Sequence, residues 1–183
     1  VESNVVQEVS SLETLYEGVS TFPEPHGQNL SWLIRDYCRW VIKYGWPEYR
    51  VGNIPELGTT KLKAFQERML AFEPESRTEE LIFQETLRQF NVFLDKQRVR
   101  EQSVKTGIPA IMWYVVIVGA ILNIALFWLF DIRYVTMMFL GGVLSFFLGA
   151  MILLIAVMDN PFRGAVSISP APFEQLYWDR MRD

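Results

Sequence analysis

One cysteine, Cys38, and one histidine, His26, are all that the chain has of the two residue types that most often bind metal. A lone cysteine forms no internal disulfide, and the pair is too small a set for structural zinc. A reduced, cytoplasmic setting for the polar part of the chain follows. There is no excess of positive charge either: 17 Lys+Arg stand against 21 Asp+Glu, a net charge of −4. That balance excludes a nucleic-acid binder, which must neutralise many phosphates. Internal repeats and low-complexity tracts are missing. So is a legible enzyme site: no nucleophile has a base beside it, and no carboxylate pair has a reason to stay close. His26, between Pro25 and Gly27, reads as an exposed structural histidine in a loop. Cys38, on an apolar helix face, reads as a small core residue. Glu73/Glu75 and Glu79/Glu80 flank a helix start and read as capping and solvation. Neither an enzymatic activity nor a cofactor is expected.

The most informative absence is of charge. From Ile108 to Phe130 the sequence IPAIMWYVVIVGAILNIALFWLF has no charged residue, and from Tyr134 to Met158 neither does YVTMMFLGGVLSFFLGAMILLIAVM. At 1.5 Å rise per residue the first run spans about 34 Å as a helix, enough to cross a bilayer, and the second crosses with some tilt. Only Asp131, Ile132 and Arg133 separate them. The expectation is a tight antiparallel transmembrane hairpin over 108–158, with a cytoplasmic helical region over 1–107 before it and a short tail over 159–183 after it. The fold class is an all-α membrane protein.

Orientation follows from the flanks. Lys96, Arg98, Arg100 and Lys105 precede the first span; Arg163, Arg180 and Arg182 follow the second; the connecting turn has only Arg133. Cytoplasmic flanks collect Lys and Arg, so both ends are expected in the cytoplasm. Trp113 and Tyr114 at the inner end, with Trp128 and Tyr134 at the outer end, suit the headgroup level. The basic stretch Lys96 to Lys105 is also placed to meet anionic headgroups. In the second span Gly141, Ser145 and Gly149 recur every four residues, a face on which another helix can pack closely, with a pore lining as the alternative use of it. The absence of intramembrane charge removes proton relays from this chain.

Ahead of the spans, Val5, Val9, Leu12, Leu15, Tyr16 and Val19 predict a first helix ending near Phe22-Pro23. Leu30, Leu33, Ile34, Tyr37, Cys38 and Val41 predict a second, ending around Gly45-Trp46-Pro47. A loop over 47–59 leads to a third helix over 60–72. Ser76-Arg77-Thr78-Glu79 has capping-box spacing and opens a long fourth helix bearing Phe83, Leu87, Phe90 and Leu94. Gly107 and Pro109 are expected to kink that helix at the surface. Past the spans, 159–164 reads as a turn, 166–169 as extended chain, and Pro172 opens a short helix through Phe173, Leu176 and Tyr177.

Several of these segments fall in an order that resembles a known family. Leu15-Tyr16, Asp36-Tyr37-Cys38-Arg39 with Trp46-Pro47 downstream, Arg98-Val99-Arg100 before Pro109 and Trp113, and Asn160-Pro161-Phe162-Arg163-Gly164 after the last span are similar to the bacterial bestrophin-like membrane proteins of uncharacterised function. The resemblance covers nearly the whole chain. It implies a bacterial inner-membrane protein, by analogy a homo-oligomeric, pentameric anion channel with a cytoplasmic helical vestibule. Family members carry a further transmembrane hairpin ahead of the helical region, and bestrophin pores are lined mainly from there, so no pore residue carries over. No acidic cluster here has the loop spacing of a calcium site. The alternative is a structural or accessory subunit anchored in a larger membrane complex. Expected partners are membrane lipids and either copies of the same chain or other membrane subunits.

Overall fold

The computed structural model describes residues 2–105, 110–129, 134–159 and 168–181. These residues are all helix, turn or irregular chain, with no strand among them. In order they form α1 (Glu2–Ser20), α2 (His26–Trp40), a π-helical turn (Val41–Gly45), α3 (Trp46–Val51), α4 (Glu56–Leu70), α5 (Arg77–Lys105), α6 (Ala110–Leu129), α7 (Tyr134–Asp159), α8 (Ala171–Leu176) and a second π turn (Tyr177–Met181).

α1 buries Val5, Val9, Leu12, Leu15 and Val19, the stripe at three- and four-residue spacing that a helix needs to cover a core. It runs antiparallel to α5: Lys96 Nζ donates to Gln7 Oε1 at 2.8 Å, Arg100 meets Glu8, and Gly18 lies against Thr86. The buried line of α5 is Thr86, Phe90, Phe93, Gln97 and Arg100, again at three and four. α2 lies across α1 and α4 and adds Leu30, Ile34, Tyr37 and Cys38 to the same core, with Phe65 and Met69 supplied by α4. Phe173, Leu176 and Met181 of the tail are buried in this core too. One helical body is thus built from residues on both sides of α6 and α7.

Several expectations are corrected. The second helix does not break at Gly45-Trp46-Pro47. Pro47 falls in the first turn of α3, where its missing N–H costs no hydrogen bond. The π turn before it takes up the change of register, and the chain stays helical to Val51. The stop comes at Gly52, whose φ of 85° suits glycine. There Gly52 N–H donates to Tyr49 O and Asn53 N–H to Glu48 O, the paired bonds of a glycine-terminated helix. The expected loop over 47–59 shrinks accordingly, and α4 begins at Glu56. His26 is not in an exposed loop: it opens α2, half-buried, with its ring edge-on to Phe72 at 5.4 Å. The capping box forms on one side only. Glu79 N–H donates to Ser76 Oγ at 3.2 Å, but the Glu79 carboxylate accepts from the Glu75 amide instead of that of Ser76.

α6 packs on α7. Within α7 the stretch Met138–Ala156, mean hydropathy 2.5, is long and apolar enough to cross a membrane; in α6 the described side chains form the apolar stretch Trp113–Ala125. Their outer faces are uncovered in this chain, with Phe146 79% and Val135 78% exposed. Asn123 Nδ2 donates to Gly119 O at 2.7 Å, so its amide is satisfied within the helix. The kink expected at Gly107 and Pro109, the turn at 131–133 and the segment 160–167 lie outside the described residues.

Candidate functional site

The most polar spot in the core lies where α5 approaches the apolar helices. Arg100 is 0% exposed. Its Nε donates to Glu8 Oε2 at 2.7 Å, and its Nη2 donates to Tyr37 Oη at 3.3 Å. Three rings surround the guanidinium, Tyr49 at 4.6 Å, Phe173 at 5.8 Å and Trp46 at 5.9 Å from ring centre to Cζ. A planar, weakly hydrated guanidinium suits this place better than an ammonium, because ring faces can replace part of its water. Glu8 is equally buried, and its Oε1 and Arg100 Nη1 have no hydrogen-bond partner among the described residues.

Burial pushes the Glu8 carboxyl above the usual range, more than the Arg100 charge and its single bond pull it down. For Arg100, burial opposes the charge, but the carboxylate opposite and the Tyr37 and Tyr49 hydroxyls outweigh it and hold it well above the ordinary value. Burial likewise raises both tyrosines. A permanently charged guanidinium fixed by a carboxylate and aromatic rings does not exchange protons near neutrality. The arrangement can tie elements together.

It ties the two ends of the apolar pair to one body. Arg100 lies five residues before the end of α5, which leads toward α6. Phe173 belongs to the tail that follows α7. Around it, Trp46 Nε1 donates to Ile168 O at 3.0 Å, and Cys38 Sγ approaches Phe173 O at 3.7 Å. Arg39 donates through Nε and Nη2 to Tyr177 Oη, and Arg180 pairs with Glu13 at 3.2 Å. Cys38 is fully buried and its thiol is pushed up to about 12 by that burial.

Arg100 is therefore not a headgroup charge, and that expectation is corrected: Glu8 and the ring cage hold it away from the surface. Lys96 bonds Gln7 and Arg98 pairs with Asp95 at 3.5 Å, both on the outside of the body. Tyr114 is exposed and Trp113 half-buried. Gly141 is half-buried, Ser145 and Gly149 are exposed, and a Cβ added to Gly149 would meet nothing within 4 Å. That face is thus not used against α6 at Gly149. Arg163 and the side chains of Lys105, Trp128 and Tyr134 lie outside the described residues. Sequence reasoning missed Glu8 and Tyr49 altogether. The signal was present: Glu8 and Arg100, of opposite sign, each sit in register with a buried stripe.

Of the segments that carried the resemblance, three contribute to this junction, through Tyr37, Cys38, Arg39, Trp46 and Arg100, while 160–164 lies outside the described residues. A family model described as a Bestrophin-like domain matches residues 1–173. The chain belongs to that family. Neither the curated proteins nor the solved structures yield a match. Membership brings with it an association with membranes, which the apolar α7 agrees with.

Proposed function

We propose that this bestrophin-like chain crosses the bacterial inner membrane through α6 and α7, and assembles with copies of itself into an anion channel whose cytoplasmic part is the helical body. One observation carries the topology. Residues before α6 and after α7 share one core, through the Trp46 to Ile168 bond and the burial of Phe173 against Arg100. A chain that leaves a body and returns to it crosses a membrane an even number of times. If α7 crosses, the segment containing α6 crosses with it. The Lys and Arg residues at both ends favour a cytoplasmic body in this reading.

Family membership supports the channel reading, and the uncovered faces of α6 and α7 support assembly. In a bilayer these faces meet lipid or other helices, and the Gly141, Ser145, Gly149 line suits close helix contact. No enzymatic role is part of this reading. The test is native mass spectrometry of the complex extracted from its own membrane, followed by ion flux in liposomes. Several identical protomers that pass chloride are expected. One copy among unrelated subunits would make the protein an accessory anchor, and a homo-oligomer that passes no ion would refute the channel.

A further inference from the structure

The elbow formed by the π turn and α3 stands at one particular end of the body. Because α1 and α5 are antiparallel and Tyr37, Trp46 and Tyr49 all reach Arg100, residues Val41–Val51 lie at the end from which α5 leads to α6. Arg100 lies five residues before Lys105, the end of α5, about 8 Å along that helix. The elbow is thus within reach of the headgroup layer, which occupies roughly the outer 5–8 Å of each leaflet.

Its exposed side chains differ from those of the other end. Tyr44 is 56% and Val51 61% exposed, and the Lys43 ammonium sits 5.3 Å from the Tyr44 ring centre. From Arg39 to Val51 the cations Arg39, Lys43 and Arg50 oppose one carboxylate, Glu48, whose Oε2 accepts from Asn53. The opposite end, around Glu73 to Glu80, has Glu73, Glu75, Glu79 and Glu80 against Arg77. An anionic membrane surface attracts the first end and repels the second, with a range of about one Debye length, 8–10 Å. The tail beside the elbow sets Glu174 and Asp179 against Arg180 and is net negative, so the positive character belongs to the elbow alone. Amphipathic rings and long cationic side chains with an exposed aliphatic neighbour are the groups that settle at the headgroup level.

We infer that the Val41–Val51 elbow rests on anionic lipid headgroups, with Lys43 and Arg50 on the phosphates and Tyr44 and Val51 at the edge of the acyl region. This rests on the proposed membrane-spanning reading and adds a second, peripheral contact to it. Such a contact would fix the tilt of the cytoplasmic body over the bilayer.

The test uses the full chain in bilayers of phosphatidylcholine with phosphatidylglycerol. Tyr44→Cys and, as a distant control, Leu70→Cys are labelled with a polarity-sensitive fluorophore, native Cys38 being buried. A quencher is carried on the lipid headgroups. Quenching at position 44 should exceed that at position 70 by about threefold or more, and should fall at least about twofold in Lys43→Glu/Arg50→Glu or in bilayers without phosphatidylglycerol. Equal, weak quenching at both positions overturns the inference. So does a position-44 label that escapes the quencher yet cross-links to another copy, which would make the elbow a protein interface. Resistance to alkaline carbonate extraction keeps the two ideas apart. Protein that is stripped refutes the spanning reading, whereas protein that is retained with an unquenched elbow refutes only the headgroup contact.

Discussion

Replacing Arg100 by methionine leaves Glu8 buried with no counter-charge, so its carboxyl is either held as an uncompensated anion or forced to take up a proton. Both side chains are 0% exposed, so solvent screens little, and removing one partner of such a pair costs about 3–5 kcal/mol. Loss of the ring contacts at Tyr49, Trp46 and Phe173 adds up to about 2 kcal/mol where the guanidinium is desolvated. At about 2–4 °C per kcal/mol for a chain of this size, Arg100→Met should lower Tm by roughly 6–28 °C. Trp46, buried in the cage, reports the event through its fluorescence, and circular dichroism in detergent follows the helices. The double variant Glu8→Leu/Arg100→Met removes both charges and the orphaned Glu8 Oε1 and Arg100 Nη1 together, and should recover most of the loss. A single variant that loses less than about 1 kcal/mol, or a double variant no better than the single, would refute the claim that a buried, mutually dependent pair organises this junction.

Four further outcomes follow from the same geometry. Gly58→Ala places a methyl 2.7 Å from the buried Trp40 ring and should destabilise the body by about 1–3 kcal/mol, seen in chemical denaturation. Cys38, with its thiol pushed up to about 12, should resist maleimide at pH 8 in the folded protein and react once unfolded. Its raised value also means that the folded state holds the proton: the stability this contributes is full below about pH 9 and is lost as pH rises toward 12. Gly149→Leu, which meets nothing within this chain, should leave the body's stability unchanged and loosen assembly in detergent, read as a shift to smaller species in native mass spectrometry.

The parts of the fold that were legible in the sequence are those written in local pattern. Val5 to Val19, Leu30 to Cys38 and the Ser76 cap announce α1, α2 and α5 through spacing alone, and the charge-free stretches announce α6 and α7. The elbow was not legible, because Gly45 and Pro47 are strong breakers when read one at a time. Only the structure reveals that Pro47 falls in a first turn and that a π turn absorbs the shift. Arg100 was misread for a related reason: a cation near a span counts as a flank charge until its partner is known, and Glu8 lies 92 residues away. The docking of the tail depends on the Trp46 to Ile168 bond across 122 residues, a pairing that no local pattern encodes.

Side-specific cysteine labelling of the full chain in sealed inverted vesicles, where the cytoplasmic face is outward, tests the central claim most directly. Single cysteines would replace Lys63 in the body, Arg133 between the apolar stretches and Asp179 in the tail. The two-span account predicts that an impermeant reagent added outside labels positions 63 and 179 but not 133. Labelling of 63 with protection of 179 would put the tail on the opposite side from the body and contradict the shared core on which the account rests.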